Sequence, residues 1–184
     1  MRSRATILRA TLSLIEERGF AAVNMSSVAV AANVSRQTVY SIFGSREALV
    51  SQAVATLAVD AWASVQCRLD ATGNALAYVV EMIVAGRELT RREPVFRALV
   101  RAGDGNPIFD EDMISRARAV VADLMSPVRP LDPRLADETG YDTTVELVTR
   151  VALSVVLFDS DAVRSDDDLR RYLAHWLAPF LSSQ

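Results

Sequence analysis

The chain has 184 residues, of which 51% are hydrophobic, and it carries a net charge of −3. This hydrophobic fraction suits a folded protein with a substantial core and argues against intrinsic disorder. A single cysteine, Cys67, and a single histidine, His175, exclude a disulfide framework and a histidine- or thiolate-rich metal site. We therefore expect no metal, no cofactor and a reducing, cytoplasmic location. No apolar run approaches the ~18 residues that span a bilayer.

The charge is divided unevenly along the chain. Residues 1–50 contain six arginines and three glutamates, which gives +3 and leaves −6 for the remainder. A basic N-terminal segment joined to an acidic body is typical of proteins that contact nucleic acid at one end.

Two helices are predicted before residue 33. Apolar residues at helical spacing indicate an amphipathic helix from about Arg4 to Arg18, followed by Gly19 as a left-handed cap. Asn24 can cap a second helix. Asn33 then stands where the chain must turn sharply, and asparagine tolerates positive φ better than most residues.

The stretch from Val34 to Leu49 predicts a third helix with one polar face. Ser35 can cap this helix, which places Val39, Ile42 and Phe43 on a shared inner face. The remaining side chains combine a guanidinium, an amide, hydroxyls and a phenol, which are groups that bond phosphates and base edges. With the start of the next helix, the predicted DNA-binding residues are Ser35, Arg36, Gln37, Thr38, Tyr40, Ser41 and Arg46.

The run from Gly19 to Leu49 reads G-F-x-x-V-N-M-x-x-V-A-x-x-A-N-V-S-x-x-T-V-Y-x-I-F-x-S-R-E-x-L. It resembles the DNA-binding domain of TetR-family bacterial transcriptional regulators, and with the first helix it covers roughly the first quarter of the chain. The resemblance implies a helix-turn-helix domain at 1–48 and a ligand-binding and dimerisation domain at 49–184. Gln37 stands where the family usually has glycine, so the base preference of relatives does not transfer.

Beyond Leu49 the patterns predict further helices and no strand. The expected helices are 46–69, 75–91, a short one after Pro94, 107–125, 143–158 opened by a Thr143-x-x-Glu146 capping box, and a last one capped by Ser165. Residues 126–140 are a proline-containing connector. The predicted fold is all-α, with an N-terminal three-helix helix-turn-helix head and a larger helical body.

The last two helices are predicted to form a dimer interface. The helix at 143–158 is apolar on nearly all sides, and the terminal helix carries a wide apolar stripe. A two-fold four-helix bundle would cover both, and the resemblance implies the same arrangement. The alternative is a helix central to its own monomer. The interface residues are Val148, Val151, Val155, Leu169, Leu173, Trp176, Leu177 and Phe180.

A ligand pocket is predicted in the body, where bulky residues fall on faces that should converge. Its predicted lining is Trp62, Tyr78, Met82, Phe96, Phe109, Met113 and Val148. Ordinary core packing is the alternative for each of them. The polar residues that could orient a ligand are Asn74, Glu81, Arg87 and Thr90, and surface exposure is the alternative for these.

No nucleophile, base and orienting group stand in a recognisable pattern, so no catalytic residue is assigned and an enzyme is not expected. The sequence instead predicts a ligand-responsive transcriptional regulator. We expect a homodimeric repressor that binds a palindromic double-stranded operator and is released by a small, mostly apolar effector. Two alternatives stay open: the same fold controlled by a protein partner, or a helical enzyme or carrier with a vestigial head.

Overall fold

The computed structural model describes residues 2–100, 113–158, 160–161 and 163–181. All regular structure in these ranges is helical, which confirms the predicted all-α class. The α-helices are α1 Arg2–Arg18, α2 Met25–Ala31, α3 Arg36–Phe43, α4 Arg46–Ala63, α5 Gln66–Asp70, α6 Ala75–Arg92, α7 Pro94–Val100, α8 Met113–Met125, α9 Glu138–Leu157 and α10 Asp166–Leu177. Short 3-10 helices cover Phe20–Ala22, Ser126–Leu131 and Pro133–Leu135. Among these helices none combines the length and apolar character needed to cross a membrane.

The chain divides by packing into two compact units. Unit 1 contains α1–α4 and α7, and unit 2 contains α5, α6 and α8–α10. The predicted domain boundary at 48/49 separates the residues expected to bind DNA from those expected to bind a ligand and to dimerise. By packing, α4 belongs with the N-terminal helices, because Leu49, Val50 and Ala53 are buried in the core of unit 1.

The core of unit 1 is built from one apolar face of each of its helices. Ile7 and Ile15 of α1 are fully buried beside Val39 of α3. Val95 and Leu99 of α7 complete the same core, and α7 packs on α1. A segment from the middle of the sequence is therefore part of the N-terminal fold.

The turns of unit 1 follow the predicted cap chemistry. The Asn24 side chain accepts hydrogen bonds from the backbone N–H groups of Ser26 (3.0 Å) and Ser27 (2.9 Å), and the Ser27 hydroxyl accepts one from the Asn24 N–H (3.0 Å). Gly19 has φ 76° and Asn33 has φ 53°, so both predicted left-handed positions are confirmed. These residues fix the angles at which α1, α2 and α3 meet.

The predicted single helix at 46–69 is wrong, because α4 ends at Ala63 and α5 begins at Gln66. At the break, the backbone N–H of Ser64 donates to the Ala61 carbonyl at 3.2 Å, which tightens and ends the last turn. Beyond the break, Val65 and Leu69 are buried in unit 2.

In unit 2, two buried tyrosines hold the C-terminal end of α8. The hydroxyl of Tyr78 on α6 donates to the Leu124 carbonyl at 3.0 Å, and the hydroxyl of Tyr141 on α9 donates to the Ala122 carbonyl. Carbonyls at a helix end have no partner within the helix, so these bonds satisfy groups that burial would leave unpaired. Burial also raises the pKa of both phenols, which keeps them protonated as donors.

The predicted capping box at Thr143 and Glu146 is also wrong. Helix α9 begins five residues earlier, at Glu138, where the Asp137 side chain accepts from the Gly140 N–H at 2.9 Å. The Thr143 hydroxyl donates back to the Thr139 carbonyl within the helix. Gly140 is required at this point because an added Cβ would lie 2.3 Å from the Arg134 carbonyl oxygen.

Candidate nucleic-acid interface

Helix α3 is short and is fixed at both ends. The Ser35 hydroxyl accepts from the Thr38 backbone N–H at 3.0 Å, and Gly44, with φ 75°, donates its N–H to the Tyr40 carbonyl at 2.9 Å. Val39 and Phe43 are buried in the core of unit 1. The opposite face of α3 is left to solvent, as the sequence predicted.

The solvent face carries Arg36, Gln37, Tyr40 and Ser41, all of which are exposed. In helix-turn-helix proteins the N-terminal residues of the recognition helix contact base edges in the major groove. The side chains of Gln37 and Ser41 form no hydrogen bond with any residue that the structure describes. Their amide and hydroxyl groups are therefore available to a ligand that approaches this face.

Unlike Gln37 and Ser41, Ser35 and Thr38 use their hydroxyl groups in hydrogen bonds within the protein. Their hydroxyl oxygens lie 2.8 Å apart and are hydrogen-bonded to each other, while the Ser35 oxygen also caps the helix. Thr38 is half-buried. Both hydroxyls therefore serve the helix start, and a DNA contact from either stays a prediction.

Arg36 and Tyr40 lie one helical turn apart and contact each other. The terminal Nη2 of Arg36 donates to the Tyr40 hydroxyl at 3.2 Å, and the guanidinium carbon lies 5.3 Å from the centre of the tyrosine ring. The two contacts hold the cationic group along the exposed face of α3.

Arg46 has an internal role that the sequence does not indicate. Its Nε donates to the Val23 carbonyl and its Nη2 donates to the Phe20 carbonyl, both at 2.7 Å. These bonds join the start of α4 to the short 3-10 helix between α1 and α2. The side chain is 30% exposed, and its contact with DNA stays a prediction, with a backbone phosphate as the expected partner.

The residues predicted to line a ligand pocket are divided between the units. Trp62 and Phe96 belong to unit 1, where Phe96 packs against the core. Tyr78, Met82 and Val148 belong to unit 2 and are almost completely buried there, which favours ordinary core packing for these three. Phe109 and the side chain of Met113 lie outside the described residues.

Unit 2 has a surface cavity of about 560 Å³ bordered by α5, α6 and α10. Leu76, Ala77 and Val80 are among its apolar lining, and Arg68, Glu81 and Arg170 stand beside them. The Glu81 carboxylate accepts from Arg170 at 2.9 and 3.3 Å and lies 2.9 Å from Arg68. Of the polar residues predicted to orient a ligand, Asn74 and Glu81 line this cavity.

The expected alternative of surface exposure is wrong for Arg87. Its side chain is 5% exposed, and it donates to the Asp166 carboxylate at 2.7 Å and to the Val163 carbonyl at 3.1 Å. It thereby ties α6 to the start of α10 inside unit 2. The residue is a buried structural cation, for which the sequence pattern gives no signal.

The predicted dimer residues separate into two groups. Val148, Leu169, Leu173 and Leu177 are buried within unit 2, where they pack α9 and α10 together. Leu173 and Leu177 also line the groove described next, and contact of these four residues with a partner stays a prediction. Trp176 and Phe180 are 60% and 51% exposed, next to Tyr172 at 48%. With half-buried Val151 and Val155 they line an apolar groove of about 430 Å³ between α9 and α10.

The family comparison matches residues 7–53 to the model of bacterial regulatory proteins of the tetR family. These residues include α2, α3 and most of α1, so the match covers the site described above. A comparison with curated protein sequences finds no match.

Several solved structures share the fold over nearly the whole chain. The TetR family repressor AlkX from Dietzia sp. strain DQ12-45-1b, implicated in biodegradation of n-alkanes, is 26% identical with a TM-score of 0.65, and the alignment covers 96% of this chain and 94% of that one. A TetR/AcrR family regulator from Thermobifida fusca YX-ER1 is 15% identical with a TM-score of 0.58 over 96% and 97%. The fatty acid degradation regulator FadR from Bacillus halodurans is 15% identical with a TM-score of 0.54 over 95% of each chain. The predicted resemblance is confirmed.

Proposed function

We propose that this TetR-family chain is a ligand-responsive, homodimeric repressor that reads a palindromic operator with α3. The observation that carries the proposal is the exposed polar face of α3, held rigidly by a cap at each end within the region that matches the family model. A guanidinium, a free amide and a phenol on one short helix suit both phosphate and base-edge contacts. No catalytic role is assigned.

The DNA-binding part is tested by selection from random-sequence duplexes with the full-length protein. A two-fold dimer with one α3 per protomer is expected to select an inverted repeat, with half-site centres separated by about 34–36 Å or a multiple of it. Failure to enrich any sequence over several rounds would contradict the proposal.

The dimer is proposed to form through the groove between α9 and α10. Tyr172 and Trp176 on α10 and Phe180 just after its end expose large apolar surfaces, and the rings of Tyr172 and Trp176 have centres 6.5 Å apart. Contiguous exposed apolar surface of this kind marks an interaction site. A second copy of the same groove is the partner that a two-fold axis supplies, and it would build the four-helix bundle that the sequence predicted.

Control by a ligand is supported by the path of the chain. Helix α7 is part of the core of unit 1, whereas α6 and α8, which precede and follow it in the sequence, belong to unit 2. Helix α6 ends at Arg92 and α7 begins at Pro94, so a ligand that shifts α6 can displace a helix that packs on α1. Such a ligand changes DNA affinity only if it binds the two arrangements with different affinities.

The effector is proposed to be small and mostly apolar. The cavity bordered by α5, α6 and α10 is within the ~300–1,000 Å³ range of ligand sites and has an apolar floor with charged groups beside it. The solved neighbour AlkX is implicated in n-alkane biodegradation, which is compatible with an apolar effector class.

Regulation by a ligand is tested by screening apolar compounds for thermal stabilisation of the protein. Each compound that stabilises it is then titrated with and without operator DNA. Coupling between sites is reciprocal, so a true effector and the operator must weaken each other's binding by the same factor, about 5- to 150-fold. A compound that binds equally well in the presence of operator would contradict the proposed control by that compound.

A further inference from the structure

The contact between Arg36 and Tyr40 suggests that these two residues of α3 have different functions in DNA binding. Arg36 is the first residue of the helix, just after its Ser35 cap, so it lies at the end that enters the major groove in helix-turn-helix complexes. Tyr40 lies one turn further on. The arginine side chain reaches along the helix to the ring and the hydroxyl of that tyrosine.

We propose that Tyr40 is a positioning residue that aims Arg36 at one base pair of the operator, an inference that rests on the proposed DNA-binding function. An unrestrained arginine on a helix surface samples many rotamers. Fixing one of them on DNA loses conformational entropy, which weakens binding. The Tyr40 ring offers a flat face 5.3 Å from the guanidinium carbon, and the hydroxyl accepts one N–H. Together they restrict the guanidinium before DNA arrives.

The contact leaves Arg36 able to read a base. The bond to Tyr40 uses one N–H of the terminal Nη2, so the donors on the other nitrogens and the second N–H of Nη2 remain. A bidentate contact with the O6 and N7 acceptors of guanine needs two of these donors. The base pair assigned to Arg36 is therefore expected to contain guanine.

The same contact leaves Tyr40 able to bind the DNA backbone. Its oxygen accepts from Arg36, and its own O–H remains free to donate to a phosphate oxygen. Tyr40 would thus bind a phosphate and orient the guanidinium of Arg36 towards a base at the same time. A phosphate contact alone carries no sequence information, whereas this arrangement gives the tyrosine an effect on sequence preference.

The experiment uses the full-length protein and the duplex that it selects, together with a set of duplexes each changed at one base pair. Arg36→Ala identifies the base pair at which preference is lost. Tyr40→Leu, which removes both the ring and the hydroxyl, is expected to lower the preference at that base pair by about two- to fivefold and to leave the ratios at other positions unchanged. Tyr40→Phe keeps the stacking face and is expected to restore most of that preference. Thermal unfolding of each variant confirms that unit 1 is folded.

A Tyr40→Leu variant that loses the same affinity on every duplex would overturn the inference, because a phosphate contact would then explain the tyrosine. An Arg36→Ala variant that keeps its preference at every base pair would also overturn it. Neither result affects the proposed function, which fails separately if the wild-type protein selects no sequence at all.

Discussion

Replacing Trp176 by alanine is expected to dissociate the dimer while leaving each chain folded. Trp176 is 60% exposed in the single chain, so its ring is not part of the core of unit 2. An aromatic side chain buries about 150–250 Å² when covered, which leaves roughly 120 Å² of this one open. At about 25 cal/mol per Å², covering that area contributes about 3 kcal/mol, and two-fold symmetry doubles the contribution to about 6 kcal/mol.

Ordering the indole side chain and incomplete coverage of its ring absorb part of this energy, so we expect about half of it to be realised. A loss of about 3 kcal/mol raises the dissociation constant of the dimer roughly a hundredfold. Sedimentation velocity over a range of concentrations measures that constant directly. The matched control is Val120→Ala on α8, which truncates another exposed apolar side chain, 57% accessible, away from this groove.

The buried neighbour Leu173 provides the contrasting variant. Its side chain is 1% exposed, so Leu173→Ala is expected to cost about 2–5 kcal/mol of unfolding free energy through the cavity that it leaves. A Trp176→Ala protein that sediments as the wild-type dimer at nanomolar concentration would refute the assignment of this groove. So would an equal loss of dimer in the Val120→Ala control.

Three further predictions concern stability. Gly140→Ala places a Cβ 2.3 Å from the Arg134 carbonyl oxygen and is expected to destabilise the protein by about 1–3 kcal/mol in denaturant titrations, whereas Gly86→Ala, which meets nothing within 4 Å, is expected to be neutral or stabilising. Arg46→Ala removes two hydrogen bonds to backbone carbonyls and is expected to lower the melting temperature in the absence of DNA; an unchanged melting temperature would leave phosphate binding as its whole role. The serine cap of α10 lowers the pKa of Asp168 by hydrogen bonding, so this stabilisation is complete above the unfolded-state pKa of about 4 and is lost as the pH falls through the lower folded-state pKa. Asp168→Asn is expected to weaken the acid dependence of the melting temperature below about pH 4, and an unchanged dependence would refute the assignment.

Local chemistry explains why the head could be predicted from sequence. A helix cap joins a side-chain oxygen to a backbone N–H two or three residues away, so the information lies within a few positions. The predicted caps at Asn24 and Ser35 form in the head, and the predicted cap at Ser165 forms in the body for the same local reason. The positive φ of Asn33 is also predictable, because asparagine itself tolerates the left-handed conformation whatever its neighbours are.

Tertiary partners explain what the sequence did not reveal. Helical spacing on α10 predicts one apolar stripe, but it does not distinguish Leu173, which packs inside the chain, from Trp176, which faces outward. The burial of Arg87 depends on Asp166, which is distant in sequence. The membership of α7 in unit 1 depends on α1 in the same way.

The central claim, sequence-specific DNA binding by α3, is tested most directly by one affinity ratio. The full-length protein is titrated, at physiological salt, against its selected duplex and against a scrambled duplex of the same length and composition. The account predicts that the selected duplex binds at least about a thousandfold more tightly, as specific complexes of this kind do. Equal affinities for the two duplexes, falling together as salt is raised, would show electrostatic attraction without readout and would contradict the account.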